Sequence, residues 1–349
     1  MTAHNSDNMG STNEQQHAIP TGLHFLRKHW LLVLQGMLSI LLLWRIFSDP
    51  TLREEVSLLA GDADRSWLLA GLGAALVSEL LCAARWWIML QVFGVPVGFA
   101  RCCAFTGAGL FYSFMLPGAG GGDAFRILYV VRLYPGRKMR AAMSVIADRL
   151  CGMVALLLAL GLTLMHHRHF PLETHARTIL EASVGVLGIT AIAVCLWWLT
   201  TIPAVSARGL RFLPAAIRGP INDLGENFWQ IVNHPRQIAI GVVFSCGALA
   251  AHFITYYCSA RAFGLSVTLG QMFAVMPVID ALIMLPVTFY GVGLRETLFE
   301  HLLGGMYGIP RSAATVASLG GFGLQAIVGV LGGLLIPFTV PAVQKSSKK

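Results

Sequence analysis

The sequence predicts an all-α polytopic membrane protein, and three observations support that fold class. The 349-residue chain is 56% apolar and only 12% charged, about half the charged fraction that is typical of soluble domains. Apolar runs of nearly 20 residues, the length a helix needs to cross a bilayer, recur between residues 30 and 338. Glycine-bearing, charged breaks interrupt this pattern twice, at 116–126 and 285–296.

Two kinds of apolar segment are distinguishable. About six are predicted to cross the membrane completely: 30–47, 67–93, 139–165, 179–200, 237–262 and 313–338. Two others, 100–117 and 269–286, each lead through Leu-Pro into a charged segment with glycines. We predict that 100–117 with 123–133, and 269–286 with 293–307, form two re-entrant helical hairpins.

The placement of Lys and Arg predicts the orientation, because cytoplasmic loops carry the basic excess. Arg27 and Lys28 precede the first span, whereas the loop 48–66 has more acids than bases and is predicted to lie outside. A full crossing by 100–117 would put the basic stretch 132–140 outside, and a re-entrant hairpin returns it to the cytoplasm. The scheme predicts a bacterial inner-membrane protein with both termini in the cytoplasm.

Composition also predicts the domain organisation. Residues 1–24 are predicted to be a disordered cytoplasmic tail, 25–340 the transmembrane domain, and 341–349 a basic cytoplasmic tail, which leaves no room for a soluble catalytic domain. The net charge of +8 does not predict nucleic-acid binding, since the basic residues lie mostly in loops between apolar runs. The seven cysteines form no CxxC pair, so we expect no zinc site, no disulfide framework and no cofactor.

The two breaks share a motif. "LPGAGGGDAFR" (116–126) and "LPVTFYGVGLR" (285–295) both have Leu-Pro, a glycine five residues after the proline and an arginine nine residues after it. The turns "FGVPV" (93–97) and "FGLSV" (263–267) precede them at nearly equal distances. Three predicted spans separate the motifs, so the second copy is predicted to be inverted. Halves of about 67–165 and 237–338 would then surround a central cavity, as in many secondary transporters.

The chemistry of the breaks indicates a binding site. Non-helical backbone cannot face lipid, because each unpaired peptide group costs several kcal/mol there. Glycines let backbone N–H groups approach an anion at a helix start. A guanidinium at this depth costs at least about 2.5–3.5 kcal/mol, so Arg126 and Arg295 are predicted to be paired or to face a ligand. Phosphate suits their forked donors.

Several charged residues admit alternative interpretations. Asp123 and Glu296 either meet a cationic group of the ligand or neutralise the neighbouring arginines. Asp148 and Arg149 either line the cavity or form a buried pair that holds helices together. Arg85, near the end of its span, is predicted to extend to the membrane surface, and the acids Glu79 and Asp280 are candidates for ion pairs, helix packing or proton transfer.

These residues resemble those of a known family. "LPGAGGGDAFR", "ADRL" (147–150) and "LPVTFYGVGLRE" (285–296) are similar to the flippase-like membrane region of bacterial lysylphosphatidylglycerol synthases and its stand-alone relatives, some of which are linked to hopanoid, glycolipid or lipid-carrier pathways. The resemblance covers about residues 25–340 and implies a helical domain with two re-entrant segments around a cavity. The substrate-binding positions that it implies are Gly120, Gly121, Gly122, Asp123, Arg126, Asp148, Arg149, Gly291, Gly293, Arg295 and Glu296.

The resemblance implies a lipid flippase or transporter that moves or binds a polar-headed, anionic or zwitterionic lipid between leaflets. The chain lacks the soluble aminoacyl-transfer domain of the synthases, so we predict no enzymatic reaction, no catalytic residue and no metal. The expected partners are a membrane lipid, the bilayer and enzymes of lipid or glycolipid synthesis. Two alternatives stay open: a membrane-embedded transferase acting on a lipid carrier, and a non-catalytic partner of a lipid-synthesis complex.

Overall fold

The computed structural model describes residues 50–115, 121–166, 233–284 and 288–334, together with Met37, Ile40, Leu41, Trp44 and Ser48. Across this described part the protein is helical and contains no strand. Its helices are α1 (Pro50–Gly61), α2 (Arg65–Val92), α3 (Phe99–Met115), α4 (Gly121–Leu133), α5 (Lys138–His166), α6 (Pro235–Ala262), α7 (Leu269–Ile283), α8 (Leu294–Tyr307) and α9 (Arg311–Leu334). A 3₁₀ turn, Phe289–Gly291, precedes α8.

Four of these helices are long and apolar enough to cross a membrane. They are α2, α5, α6 and α9, with mean hydropathies between 1.7 and 2.0, and they match the predicted spans 67–93, 139–165, 237–262 and 313–338. The predicted span 179–200 and both predicted tails lie outside the described residues. In the predicted span 30–47 the described residues Met37, Ile40, Leu41 and Trp44 are helical and exposed.

The segment predicted as an outside loop contains a helix that sequence reasoning missed. Helix α1 packs against α9, and Asp64 then begins α2. The Asp64 carboxylate accepts a hydrogen bond from the Ser66 N–H at 2.8 Å, as an N-cap residue does. The Asp64 backbone N–H donates to the Ala262 carbonyl at 2.8 Å. Asp64 therefore fastens the start of α2 to the end of α6.

The first helices of the two predicted repeat halves have the same construction. Helices α2 and α6 have 28 residues each, and both end in Phe-Gly. Gly94 has a φ of 66° and Gly264 a φ of 77°, a left-handed conformation that glycine adopts without strain. The next N–H closes the helix end in both halves: Val95 donates to the Leu90 carbonyl at 2.8 Å and Leu265 to the Ala260 carbonyl at 3.0 Å.

Helices α2 and α6 run antiparallel in the interface between the halves. Gly71, near the start of α2, lies against Cys258 near the end of α6. Near the other end of α2, Arg85 donates to the Ser245 hydroxyl at 3.0 Å. The two copies of the repeat are therefore inverted in their first helices. The contacts also cross between halves, because α3 packs on α9 and α7 packs on α5.

Helices α3 and α4 lie side by side as an antiparallel hairpin. Phe105 stacks with Tyr129 at 5.3 Å and Tyr112 stacks with Phe125 at 3.6 Å between ring centroids. The helices have 17 and 13 residues, or roughly 25 and 20 Å, which is shorter than the roughly 30 Å hydrocarbon core of a bilayer. In the second half, α7 ends at Ile283 and α8 begins at Leu294. The non-helical segment before α8 lies where a break was predicted, and residues 116–120 and 285–287 lie outside the described residues. The return of each hairpin to one membrane face stays a prediction.

Candidate functional site

A buried ion-pair network joins α2, α4 and α5. The Asp148 side chain is fully buried, and its carboxylate accepts from Arg85 Nε at 2.6 Å and Arg85 Nη2 at 3.2 Å. Arg126 Nη1 donates to the same carboxylate at 3.2 Å. Arg85 is 8% exposed, so the prediction that it extends to the membrane surface is wrong. The alternative pair of Asp148 with Arg149 is also absent, because Asp148 points to the other two arginines.

Residues of the first half contact both terminal nitrogens of Arg126, whereas its buried Nε has no hydrogen-bond partner among the described residues. Its guanidinium carbon lies 4.3 Å from the centre of the Trp86 ring, a cation–π distance. Arg126 Nη2 lies 3.3 Å from the Thr106 hydroxyl, and Arg126 Nη1 lies 3.5 Å from Asp123. The residue is 6% exposed. The arginine that the sequence assigned to ligand binding is therefore largely occupied by protein partners.

Arg149 is the arginine of this cluster whose side chain is exposed. Asp123 accepts from Arg149 Nε at 2.8 Å and from Arg149 Nη2 at 2.7 Å, a bidentate pair. The Arg149 side chain is nevertheless 56% exposed, although the residue lies about 16 Å along the axis of α5. A guanidinium facing hydrocarbon at that depth is costly. The open face of Arg149 therefore indicates a water-accessible space.

Glu79, in the middle of α2, is a member of this cluster that the sequence-based site did not include. It is half-buried and has no ion pair or hydrogen bond within the described part of the chain. It lies within electrostatic range of the cluster residues Arg126, Arg85, Asp148 and Arg149. With Asp123 and Asp148 it supplies three carboxylates for three guanidinium groups, so the first-half cluster is formally neutral. Its position one α-helical turn and a half before Arg85 was the available signal.

The second half presents a different environment around Arg295. This residue is 5% exposed, and its Nη2 donates to the Tyr290 carbonyl at a long 3.3 Å. The guanidinium carbon lies 5.8 Å from the centre of the Tyr256 ring and 5.2 Å from that of Phe322. Arg295 Nη1 is buried without a hydrogen-bond partner. Within the described residues no carboxylate forms an ion pair with Arg295.

Glu296 stabilises its own helix and does not neutralise Arg295. Its carboxylate accepts from the Gly293 N–H at 2.7 Å and from the Ser318 hydroxyl at 3.1 Å. Gly293 and Gly291 have φ angles of 85° and 76°, so the chain enters α8 through conformations that favour glycine. The predicted alternative of an Arg295–Glu296 pair is therefore wrong, and Glu296 serves as a helix N-terminal cap.

The glycines of the first break have separate positions. Gly121 begins α4 and is half-buried. Gly122 is buried against α3, where an added Cβ would lie 2.2 Å from the Gly109 carbonyl oxygen. Gly120 lies outside the described residues. At Gly122, the missing side chain lets two helices approach each other closely.

The end of α3 lies against the turn that precedes α8. Phe114, near the end of α3, lies 4.6 Å from Tyr290 and 5.5 Å from Phe322 between ring centroids. Tyr290 is within electrostatic range of Arg295, Glu79 and Arg149. Arg295 and two members of the first-half cluster, Glu79 and Arg149, therefore all lie near Tyr290.

Asp280 is the remaining acid that the sequence singled out inside a predicted hairpin. Its carboxylate lies 3.2 Å from His252 Nε2, and Gln325 contacts the other ring nitrogen of the histidine. These three residues come from α7, α6 and α9, so the cluster holds three helices together. In the described ranges no group of three or more His, Cys, Asp or Glu residues is arranged to hold a metal ion.

The described fold is that of a polytopic helical membrane protein, in which a buried network of charged side chains joins α2, α4 and α5. The chain belongs to the family described as the lysylphosphatidylglycerol synthase TM region, whose model matches residues 32–333. The resemblance predicted from the two break motifs is thereby confirmed, and a membrane- and lipid-related role follows at the level of the family. A comparison with curated proteins finds no match.

Proposed function

We propose that the protein is a lipid flippase or lipid-binding transporter whose substrate carries a polar, charged headgroup. The headgroup passes through the space between the two halves while the tails stay in the bilayer. The observation that carries this proposal is the exposed guanidinium of Arg149, which lies with half-buried Glu79 well inside helices long enough to span a membrane and is paired with Asp123 at the start of α4. The family supports a lipid-related role, and an inner-membrane location with both termini cytoplasmic belongs to the same proposal.

The energetic reason for such a path is the cost of moving a charged headgroup through hydrocarbon. A dry, apolar pathway would leave the headgroup without hydrogen-bond partners. Arg149, Asp123 and Glu79 offer both signs of charge to a headgroup, and Arg295 offers an unpaired donor beyond Tyr290. The site therefore replaces part of the hydration shell that the headgroup loses.

Reconstitution in liposomes with fluorescent phospholipids tests the transport proposal. Wild-type protein is expected to accelerate exchange of at least one anionic or zwitterionic lipid between leaflets. Arg149→Gln and Arg295→Gln are expected to slow that exchange about tenfold each, because each removes a charge-assisted contact to the headgroup. The rate is measured by dithionite quenching of the outer leaflet at equal amounts of inserted protein.

Arg132→Gln is the matched control, since Arg132 lies in the last turn of α4 and is exposed. It is expected to retain the wild-type rate. Exchange no faster than in protein-free vesicles, for every lipid tested, would refute the transport proposal. Chemical alteration of a lipid carrier on addition of a nucleotide or metal would favour the transferase alternative. If Arg149→Gln and Arg295→Gln each restored function as well as wild type in cells that lack the protein, the scaffold alternative would be favoured.

The re-entrant hairpin is tested by labelling single cysteines. In a variant without the native cysteines, Arg101→Cys at the start of α3 and Arg132→Cys at the end of α4 are expected to react from the same membrane face. Asp62→Cys, just before α2, is expected to react from the opposite face, because one span separates it from Arg101. The membrane face of each cysteine is determined by comparing its labelling by a membrane-impermeant maleimide in sealed cells and in lysed cells. Labelling of Arg101→Cys and Arg132→Cys from opposite faces would show that the hairpin crosses.

A further inference from the structure

We propose that the second half of the repeat contains an anion-binding pocket formed by Arg295, Tyr256 and Thr288, and that Arg126 is not its counterpart in binding. The pocket takes a phosphate group. This inference rests on the proposed function in one respect, since the phosphate is taken to belong to a lipid headgroup.

Three buried donor atoms near Arg295 lack a hydrogen-bond partner. Arg295 Nη1, Tyr256 Oη and Thr288 Oγ1 are all buried without a hydrogen-bond partner. The Tyr256 ring lies against the Arg295 guanidinium, and Thr288 lies two residues before Tyr290, whose carbonyl accepts from Arg295. A buried donor without a partner costs about 1–3 kcal/mol. In the proposed pocket, a phosphate group supplies the acceptors that these donors lack.

Each half of the internal repeat places an arginine over an aromatic ring. Aligning the Phe-Gly turns of α2 and α6 matches Trp86 with Tyr256, and aligning the two motif arginines matches Arg126 with Arg295. The arginine lies over the matched aromatic ring in both halves, at 4.3 Å and 5.8 Å. The repeat has therefore retained an arginine on an aromatic platform at two equivalent places.

The same alignments show where the halves differ. Arg85 corresponds to Thr255, and Asp148 corresponds to Ala317. The second half thus has a neutral side chain at each position that the first half uses for its buried ion pair. Arg126 Nη1 donates to the Asp148 carboxylate at 3.2 Å, whereas the position that corresponds to Asp148 in the second half is occupied by the methyl side chain of Ala317. A bound anion supplies the missing partner.

The nearby carboxylates of Glu296 and Asp280 do not form an ion pair with Arg295. Glu296 accepts from the Gly293 N–H and the Ser318 hydroxyl, and Asp280 pairs with His252. The one polar contact of Arg295 within the described residues is its 3.3 Å bond to the Tyr290 carbonyl. Charge-assisted bonds from guanidinium to phosphate are shorter, about 2.7–2.9 Å. A phosphate oxygen therefore displaces the Tyr290 carbonyl readily.

Removing single hydroxyl groups distinguishes a binding role of these residues from a structural one. Tyr256→Phe and Thr288→Val each remove one unpartnered hydroxyl and little else, so the ligand-free protein is expected to keep or raise its Tm. Each variant is expected to bind dihexanoyl phosphatidylglycerol about tenfold more weakly than wild type, since a hydrogen bond to a charged group is lost. Binding is measured with the full-length protein in nonionic detergent, by isothermal titration calorimetry.

Tyr307→Phe is the matched control, because Tyr307 also has a buried hydroxyl without a partner but makes no contact with Arg295. It is expected to bind like wild type. Arg295→Gln is expected to abolish binding, and dihexanoylglycerol, which lacks phosphate, is expected not to bind. Inorganic phosphate that competes at equal affinity would support the pocket and identify a free anion as its ligand.

Unchanged affinity in Tyr256→Phe and Thr288→Val, or equal binding of dihexanoylglycerol, would overturn the pocket. These results are independent of the liposome assay. If wild type moves lipid and Tyr256→Phe and Thr288→Val bind phosphatidylglycerol as wild type does, only the pocket is refuted. If wild type binds phosphatidylglycerol but moves no lipid between leaflets, only the transport proposal is refuted.

Discussion

Asp148→Asn is expected to destabilise the folded protein by about 3–5 kcal/mol, the usual cost of removing one partner from a buried ion pair. The Asp148 carboxylate is fully buried and receives donors from both Arg85 and Arg126. Its loss leaves two guanidinium groups at membrane depth without their shared counter-ion. The first-half cluster also changes from formally neutral to positive.

The loss is measured as a fall in Tm of the purified protein in detergent and as a smaller folded yield. Asp62→Asn, the same substitution at an exposed acid before α2, is expected to leave the Tm unchanged. The double variant Arg85→Thr/Asp148→Ala, which copies the second-half residues Thr255 and Ala317, is expected to be more stable than Asp148→Ala alone. Equal Tm values for Asp148→Asn and wild type would show that the network contributes little to stability.

Gly122→Ala is expected to have the second largest effect. An added methyl group would lie 2.2 Å from the Gly109 carbonyl oxygen and from the Ser113 hydroxyl, far closer than van der Waals contact allows. Because one of the obstacles is backbone, α3 and α4 must move apart, and overpacking of this kind costs about 1–3 kcal/mol or more. Separation also displaces Arg126 from Asp148. A fall in Tm and slower lipid exchange are both expected.

The control is Gly323→Ala in α9, where an added methyl group meets nothing within 4 Å. This substitution is expected to be neutral or slightly stabilising, because alanine favours helix more than glycine by about 1 kcal/mol. If Gly122→Ala matched Gly323→Ala in Tm, close approach of α3 and α4 at Gly122 would not be required for the fold.

The first half contributes a buried ion-pair network that stabilises the fold, and the second half contributes the proposed binding pocket. In the first half, Arg126 is fixed by Trp86, Thr106 and Asp148, so its burial is compensated by the protein itself. In the second half, the equivalent Arg295 has an unpaired terminal nitrogen, Nη1, and no ion-pair partner among the described residues, whereas the one unpaired nitrogen of Arg126 is its Nε. A site whose stabilising partner arrives with the ligand binds more tightly than one that must first give up an internal ion pair. The asymmetry of the repeat is therefore the basis of the proposed selectivity for phosphate.

Sequence reasoning succeeded where the determinant is local. The four described spans follow from runs of apolar residues, and the non-helical segment before α8 follows from its glycines, Gly291 and Gly293. The Phe-Gly turns at Gly94 and Gly264 predicted equivalent helix ends, and the two ends share their hydrogen bonds. Each feature depends on residues within a few positions of one another and on the bilayer as solvent.

Tertiary structure decided which charges meet. Asp148 pairs with Arg85, 63 positions away, and with Arg126, 22 positions away, although Arg149 is its neighbour in sequence. Adjacent residues on a helix point about 100° apart, so the rotation of α5 against α2 and α4 sets the pairing. The sequence therefore determined the class, the repeat and the presence of membrane-depth arginines. Only the packing of the helices decided that Arg126 pairs with Asp148, that Glu296 accepts from the N-terminus of α8 and that no carboxylate of the described residues forms an ion pair with Arg295.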